Sequence, residues 1–183
     1  MAAIDIGPGA SDRGNSWDIS GYTIIDKTNP ANDAGTLTSF ELWYNSGGGN
    51  AANVKIGTFS GSGTSYDDRD YETLGTVTAG SKQTFSGKDC DVTSGDFLGI
   101  YQSSAWMESE ATGGSDCYYY LGDAFGGGAQ TYTLVSSWII SIYGTGVPGW
   151  LNIGKVSGAT ATDLAKVNSV AVGDISKLNG VSV

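Results

Sequence analysis

Polar and apolar residues alternate in short runs through the first 146 residues, and no stretch sustains the 3.6-residue period of a helix. The clearest run is Thr36–Tyr44, where Thr38, Phe40, Leu42 and Tyr44 fall on one face of an extended chain. Asn53–Phe59 repeats the pattern with Val54 and Ile56 on one face, and Tyr22–Asp26 is a shorter run stopped by Asn29-Pro30. Further strands are predicted at Thr73–Thr78, Lys82–Phe85, Asp96–Tyr101, Cys117–Leu121, Thr131–Leu134 and Trp138–Tyr143. About ten strands at roughly ten-residue spacing is the pattern of sandwiches and barrels. Residues 1–20 read as irregular, Ser60–Glu72 as a polar loop, and Gly47–Gly49 and Gly126–Gly128 as turns.

The pattern changes after Gly144-Thr-Gly-Val-Pro-Gly149, whose glycines and proline predict a boundary. Beyond it the chain repeats itself three times with a period of eleven: aliphatic-x-Lys-aliphatic-Asn/Ser-Gly/Ser-aliphatic-x-aliphatic-x-Asp. The aliphatic positions include Ile153, Val156, Leu164, Val167, Val170, Val172, Ile175, Leu178, Val181 and Val183. A unit so short cannot bury its own apolar face, so these positions are expected to assemble with copies of themselves or with a partner. Asn179-Gly180 between apolar residues is the strongest short hairpin signal, and each repeat reads as a miniature hairpin or as two strands meeting at a corner. Trp150 is placed to pin the first repeat to the body.

Composition narrows the function. The 183 residues include 29 Gly, 10 Tyr and 5 Trp but no His, which removes the usual general base and zinc ligand and every Ser-His-Asp arrangement. We therefore expect neither an enzyme nor a cofactor or metal site. The formal charge is −10; the repeats hold three Lys against two Asp, a net +1, so the rest of the chain carries −11. An acidic body repels a phosphate backbone, which argues against nucleic acid as a partner. No run approaches transmembrane length, and the start Met1-Ala-Ala-Ile lacks the basic and apolar regions of a signal peptide, so cytoplasmic synthesis without membrane insertion is expected.

Several clusters invite a chemical reading. Asp67-Asp68-Arg69-Asp70 with Glu72 is the densest carboxylate group, yet it lacks the spacing of a calcium loop and reads as solvated. Glu108 and Glu110 sit two apart on a strand, about 7 Å along it, but neighbours on one strand do not flank a glycosidic bond from opposite sides. Asp89 and Asp91 form a polar strand face around Cys90 and Val92. Among the aromatic residues, Trp106 and Tyr119 are candidate glycan contacts, since flat rings match the apolar faces of sugars; core packing is the competing reading. In Tyr118-Tyr119-Tyr120 neighbours must face opposite ways. Cys90 and Cys117 are either bridged between neighbouring strands or buried free thiols.

The segments Val54–Phe59, Arg69-Asp70-Tyr71, Val77–Ser86 and Asp91–Tyr101, the ending Ser141–Gly146 and the Lys-Val-Asn-Gly-Val-like repeats resemble a family of tailed bacteriophages and environmental viral sequences. Its members look like β-sandwich virion proteins whose repeats vary in number. The resemblance runs from about residue 4, rests on structural rather than catalytic motifs, and transfers no site residue.

Together these readings predict an all-β protein: a jelly-roll-like antiparallel β-sandwich over residues 1–146 with a β-repeat appendage over 147–183. The expected function is a non-enzymatic virion structural protein, an external fibre, spike or decoration subunit pairing with copies of itself and with other virion proteins. The alternatives are a carbohydrate-binding module recognising a host surface glycan, and a cellular filament subunit assembled by donor-strand exchange.

Overall fold

A computed structural model describes residues 3–149 and, beyond them, four two-residue strands. The chain divides into two compact units, Met1–Pro148 and Gly149–Val183. The first holds twelve strands: β1 (Ile4–Ile6), β2 (Asn15–Asp18), β3 (Tyr22–Asp26), β4 (Gly35–Trp43), β5 (Ala51–Ser62), β6 (Ser65–Val77), β7 (Lys82–Val92), β8 (Phe97–Tyr101), β9 (Trp106–Leu121), β10 (Gln130–Thr131), β11 (Thr133–Ile140) and β12 (Ile142–Pro148). Every pairing is antiparallel.

One sheet runs β1-β12-β4-β7 and the other β10-β6-β5-β8-β3-β9-β11, with β2 added to β9. Setting aside β2 and the β9–β11 excursion leaves eight strands. Their sheet orders are first–last–third–sixth and second–seventh–fourth–fifth, two Greek keys wound together as a jelly roll. The sandwich predicted from alternation is therefore present, with its first strand, β1, inside the segment that reads as irregular. Three residues of alternation were too few to signal it.

Two further departures have local causes. Phe40 and Leu42 on β4, and Tyr44 just past its end, are buried as the alternation predicts, but Leu37 replaces Thr38 in the core. Against β12, Gly146 pairs with Leu37 and Thr145 with Ser39, so Thr38 is an extra residue on β4 and the buried position moves by one. Ser60–Glu72 is not a loop: it is the end of β5 and the first half of β6, joined by a tight turn through Gly63 (φ 61°). Its polar residues misled because β6 buries few side chains, Tyr66 and Val77 among them.

The second sheet is not flat. β10 pairs with β6 at one end of the sheet, and β11, beginning two residues later, pairs with β9 at the other. Flat strands would put β6 and β9 about 19 Å apart, whereas Thr131 and Thr133 lie within about 7 Å. The sheet must curl until its ends meet, and Tyr132 closes it by donating its N–H to Thr64 O at 2.8 Å.

Two cores result. An aliphatic core between the sheets includes Ile4, Ile6, Leu37, Phe40, Val54, Ile56, Leu98 and Ile140. An aromatic one inside the curl includes Phe59, Tyr66, Phe125 and Tyr132, flanked by Phe97, Tyr118 and Tyr120. Lys27 Nζ lies 5.0 Å from the ring centres of Phe97 and Tyr118 and 5.6 Å from that of Tyr66, a cation over aromatic faces.

The division between the two units, at Pro148 and Gly149, falls inside the Gly144–Gly149 segment expected to hold it, although Gly144 to Pro148 lie in β12. A Cβ on Gly146 would come within 2.1 Å of Thr36 O, and one on Gly144 within 2.8 Å of Ile6 Cγ2. These glycines permit close strand packing rather than marking a linker.

In the second unit, β13 (Lys166–Val167) pairs with β14 (Val170–Ala171), and β15 (Lys177–Leu178) with β16 (Val181–Ser182). Each pair spans a two-residue connection, so the second and third repeats each contain a hairpin.

Candidate functional site

The site is built where β2 turns into β3. Tyr22 N donates to Ile19 O at 3.1 Å, closing a turn that needs Gly21 at φ 78°, where a side chain would be strained. Ile19 is fully buried and fastens the turn to the core. The turn sets Trp17 and Asp18 beside Tyr22, and Tyr119 of β9 completes a half-open cavity of about 200 Å³. Tyr22 and Tyr119 meet nearly at right angles (80°) with ring centres 5.7 Å apart, and Trp17 stacks at a tilt on Trp138 at 5.7 Å. These are ordinary aromatic contacts, which fix the walls without needing a ligand.

Asp18 supplies the groove's acceptor. Its Oδ1 accepts the Ser20 N–H at 3.1 Å. Hydrogen bonds from Ser20, with a smaller one from the Trp106 side chain, hold its carboxyl below the usual range. It is therefore ionised, and purely an acceptor, at neutral pH.

The two candidate glycan residues thus lie at either side of Asp18. Tyr119 lines the groove, while Trp106, the register partner of Asp18, is 41% exposed and packs its ring over Gly47 and Gly48. They are thirteen residues apart on one strand, and a fold in that strand brings them together. Ala111 pairs with Trp138 and Asp116 with Ser136, so the register shifts between those pairs, at Ser137, itself at φ 65°. The tyrosine triplet alternates as expected: Tyr118 and Tyr120 pack on the aromatic core, Tyr119 on the aliphatic one. Trp17, Asp18 and Tyr22 were not singled out from the sequence. The available signal was Trp-Asp beside a Gly turn, too brief to read as a strand.

The carboxylates have structural partners. Glu108 is 2% exposed; its Oε1 accepts Asn45 Nδ2 at 2.6 Å and its Oε2 accepts Arg13 N at 3.0 Å, while Glu110 pairs with the Arg13 guanidinium at 3.5 Å. The Asp67–Glu72 cluster is on a strand rather than in the solvated loop expected. Asp70 Oδ2 and Glu72 Oε1 accept the N–H groups of Asp91 (2.8 Å) and Asp89 (3.0 Å) on the edge of β7. Arg69 grips buried Asp96 at 2.6 and 3.1 Å, and Asp68 accepts the Gly126 N–H. Among the described residues no group of three His, Cys, Asp or Glu side chains is disposed to hold a metal, and no helix is long and apolar enough to cross a membrane.

Cys90 and Cys117 are both free, buried thiols, which removes the bridged reading. They lie on strands of different sheets, β7 and β9. Burial, then the charge of Asp70, pushes the Cys90 thiol up to about 12; burial and Asp26 push Cys117 well above its ordinary value.

Of the assembly positions, Val167, Val170, Leu178 and Val181 fall in the described strands, where Val167 pairs with Val170 and Leu178 with Val181. Ile153, Val156, Leu164, Val172, Ile175 and Val183, and Trp150 with them, lie outside the described residues. No family model matches the chain, and no curated protein matches it either.

Proposed function

We propose that the chain is a non-enzymatic structural subunit of a virus particle, an external fibre, spike or decoration protein that self-assembles through its C-terminal repeats. The observation that carries this reading is the pair of hairpins at 166–171 and 177–182, placed eleven residues apart. A lone two-stranded hairpin is marginal in water, so hairpins this small are stabilised by pairing with further strands. Copies of the same repeat on other subunits supply them. The jelly-roll body agrees by analogy, being an architecture shared by capsid and lectin domains. The test is the mass in solution of the full chain beside a version ending at Gly149. A full-length oligomer and a shortened monomer are expected; two monomers at high concentration would sink the assembly role.

A second role, carbohydrate binding by the body, is favoured by the aromatic groove beside Asp18. It is compatible with the first, since a surface subunit can carry a host-recognition site. Binding to immobilised polysaccharide that falls on Tyr119→Ala or Trp106→Ala supports it, and binding indifferent to both opposes it.

A further inference from the structure

Resting on the carbohydrate-binding reading, we infer that the groove takes one ring of an uncharged glycan, seated against Trp17, Tyr22 and Tyr119 with its hydroxyls donating to Asp18.

Size is the first argument. About 200 Å³ is below the roughly 300–1,000 Å³ that envelops a drug-sized ligand, so a single ring enters and the remainder stays in solvent. A chain of repeating units such as a glycan meets that requirement. Its pyranose rings present apolar C–H faces to aromatic walls and hydroxyl donors to a carboxylate acceptor.

Charge is the second. An acidic sugar needs a cation, and the body has six. Five are engaged by carboxylates: Arg13 by Glu110, Lys55 by Asp123, Arg69 by Asp96, Lys82 by Glu41 and Lys88 by Glu72. The sixth, Lys27, sits over Phe97 and Tyr118 in the aromatic core. None of the six lines the groove, whose charged side chain is Asp18. A uronate or sialate would face an aspartate on a body carrying excess negative charge, an approach opposed most strongly at low ionic strength.

A quaternary ammonium is the competing occupant for rings beside a carboxylate. Such a cation is held by rings that close around it on several sides. Here two rings meeting at 80° form an open corner rather than a cage, and the Asp18 carboxylate beside them offers acceptor lone pairs to a hydroxyl.

The experiment is affinity electrophoresis of the full chain in gels containing a β-glucan, a mannan, a galactan, polygalacturonate or polysialic acid, with and without choline chloride. Retardation by a neutral polymer and not by the acidic ones is expected, weakened tenfold or more in Trp17→Ala and Tyr22→Ala. Asp18→Ala, at an exposed position, is the variant that leaves the core intact and is expected to weaken binding several-fold. Retardation by an acidic polymer, or displacement by choline, would overturn the ligand class while leaving a binding site. Neutral binding unchanged by all three variants would overturn the groove assignment. No retardation in any gel would overturn the carbohydrate reading itself.

Discussion

The Ile140 N–H donates to Asp26 Oδ2 at 3.0 Å, joining residues 114 apart in sequence. Asp26 is fully buried; its other oxygen accepts Thr28 N at 2.8 Å, and the Cys117 thiol lies 3.6 Å from Oδ2. The carboxylate thus clamps the end of β11 onto β3, where the β9–β11 ribbon folds back. Asp26→Asn turns an amide NH₂ toward one of these donors and is expected to cost about 1–3 kcal/mol, measured by chemical denaturation.

The same group sets a pH dependence. Burial, the largest influence, raises its carboxyl above the ordinary 3.8, so the folded protein takes up a proton at higher pH than the unfolded chain. Its contribution to stability therefore grows as pH falls from the raised value toward 3.8 and is lost as pH rises through it. The stability gap between the natural protein and Asp26→Asn should widen with acidification over that window. A gap that stays constant or narrows would contradict the assignment.

Gly146→Ala drives a methyl group to within 2.1 Å of the Thr36 carbonyl, backbone that cannot step aside. We expect a loss of about 1–3 kcal/mol and a lower melting temperature. A neutral result would contradict the close approach of β12 to β4 at this position.

Glu108→Gln keeps the shape of the side chain but replaces one of two engaged acceptor oxygens with a donor. Because the Asn45 amide and the Arg13 N–H both depend on it, a destabilisation of about 1–3 kcal/mol is expected, with glycan binding unaltered in the folded variant. Loss of a hydrolytic activity on this substitution would instead make Glu108 catalytic.

Asp70 and Glu72 shield the N–H groups of the β7 edge. Edges left open invite pairing with another chain, so Asp70→Ala combined with Glu72→Ala should increase self-association of the body ending at Gly149. Light scattering against concentration would reveal it; a variant as monomeric as its parent would remove this role.

Both cysteines are buried with raised thiol pKa values, so neither supplies thiolate at neutral pH. Ellman's reagent should find two thiols in denaturant and almost none in the native protein. Rapid native labelling, or no labelling after unfolding, would refute the assignment of free buried thiols.

Much of the fold was legible along the chain because alternation is local. Phe40, Leu42 and Tyr44, Val54 and Ile56, and the opposed tyrosines at 118–120 each follow from the two-residue period of a strand. Where a bulge added a residue to β4 opposite β12, between Leu37 and Ser39, the two-residue period slipped and Leu37 took the buried place expected of Thr38. Where a strand was three or four residues long, as in β1 and β2, alternation had no room to register. The groove was half legible: Tyr119 could be proposed as an outward aromatic, but Trp17, Asp18 and Tyr22 carry no pattern that distinguishes them from core or turn.

What the sequence determined by itself was the β class, the buried faces of its clearest alternating runs and the want of histidine chemistry. What only the tertiary structure decided was which strands meet. The closure of the sheet through Tyr132, the clamp of Asp26 on Ile140, and the approach of Trp17 and Tyr22 to Tyr119 all join segments distant along the chain. Such contacts depend on register and curl, which are settled by packing of the whole sheet rather than by any local run of residues.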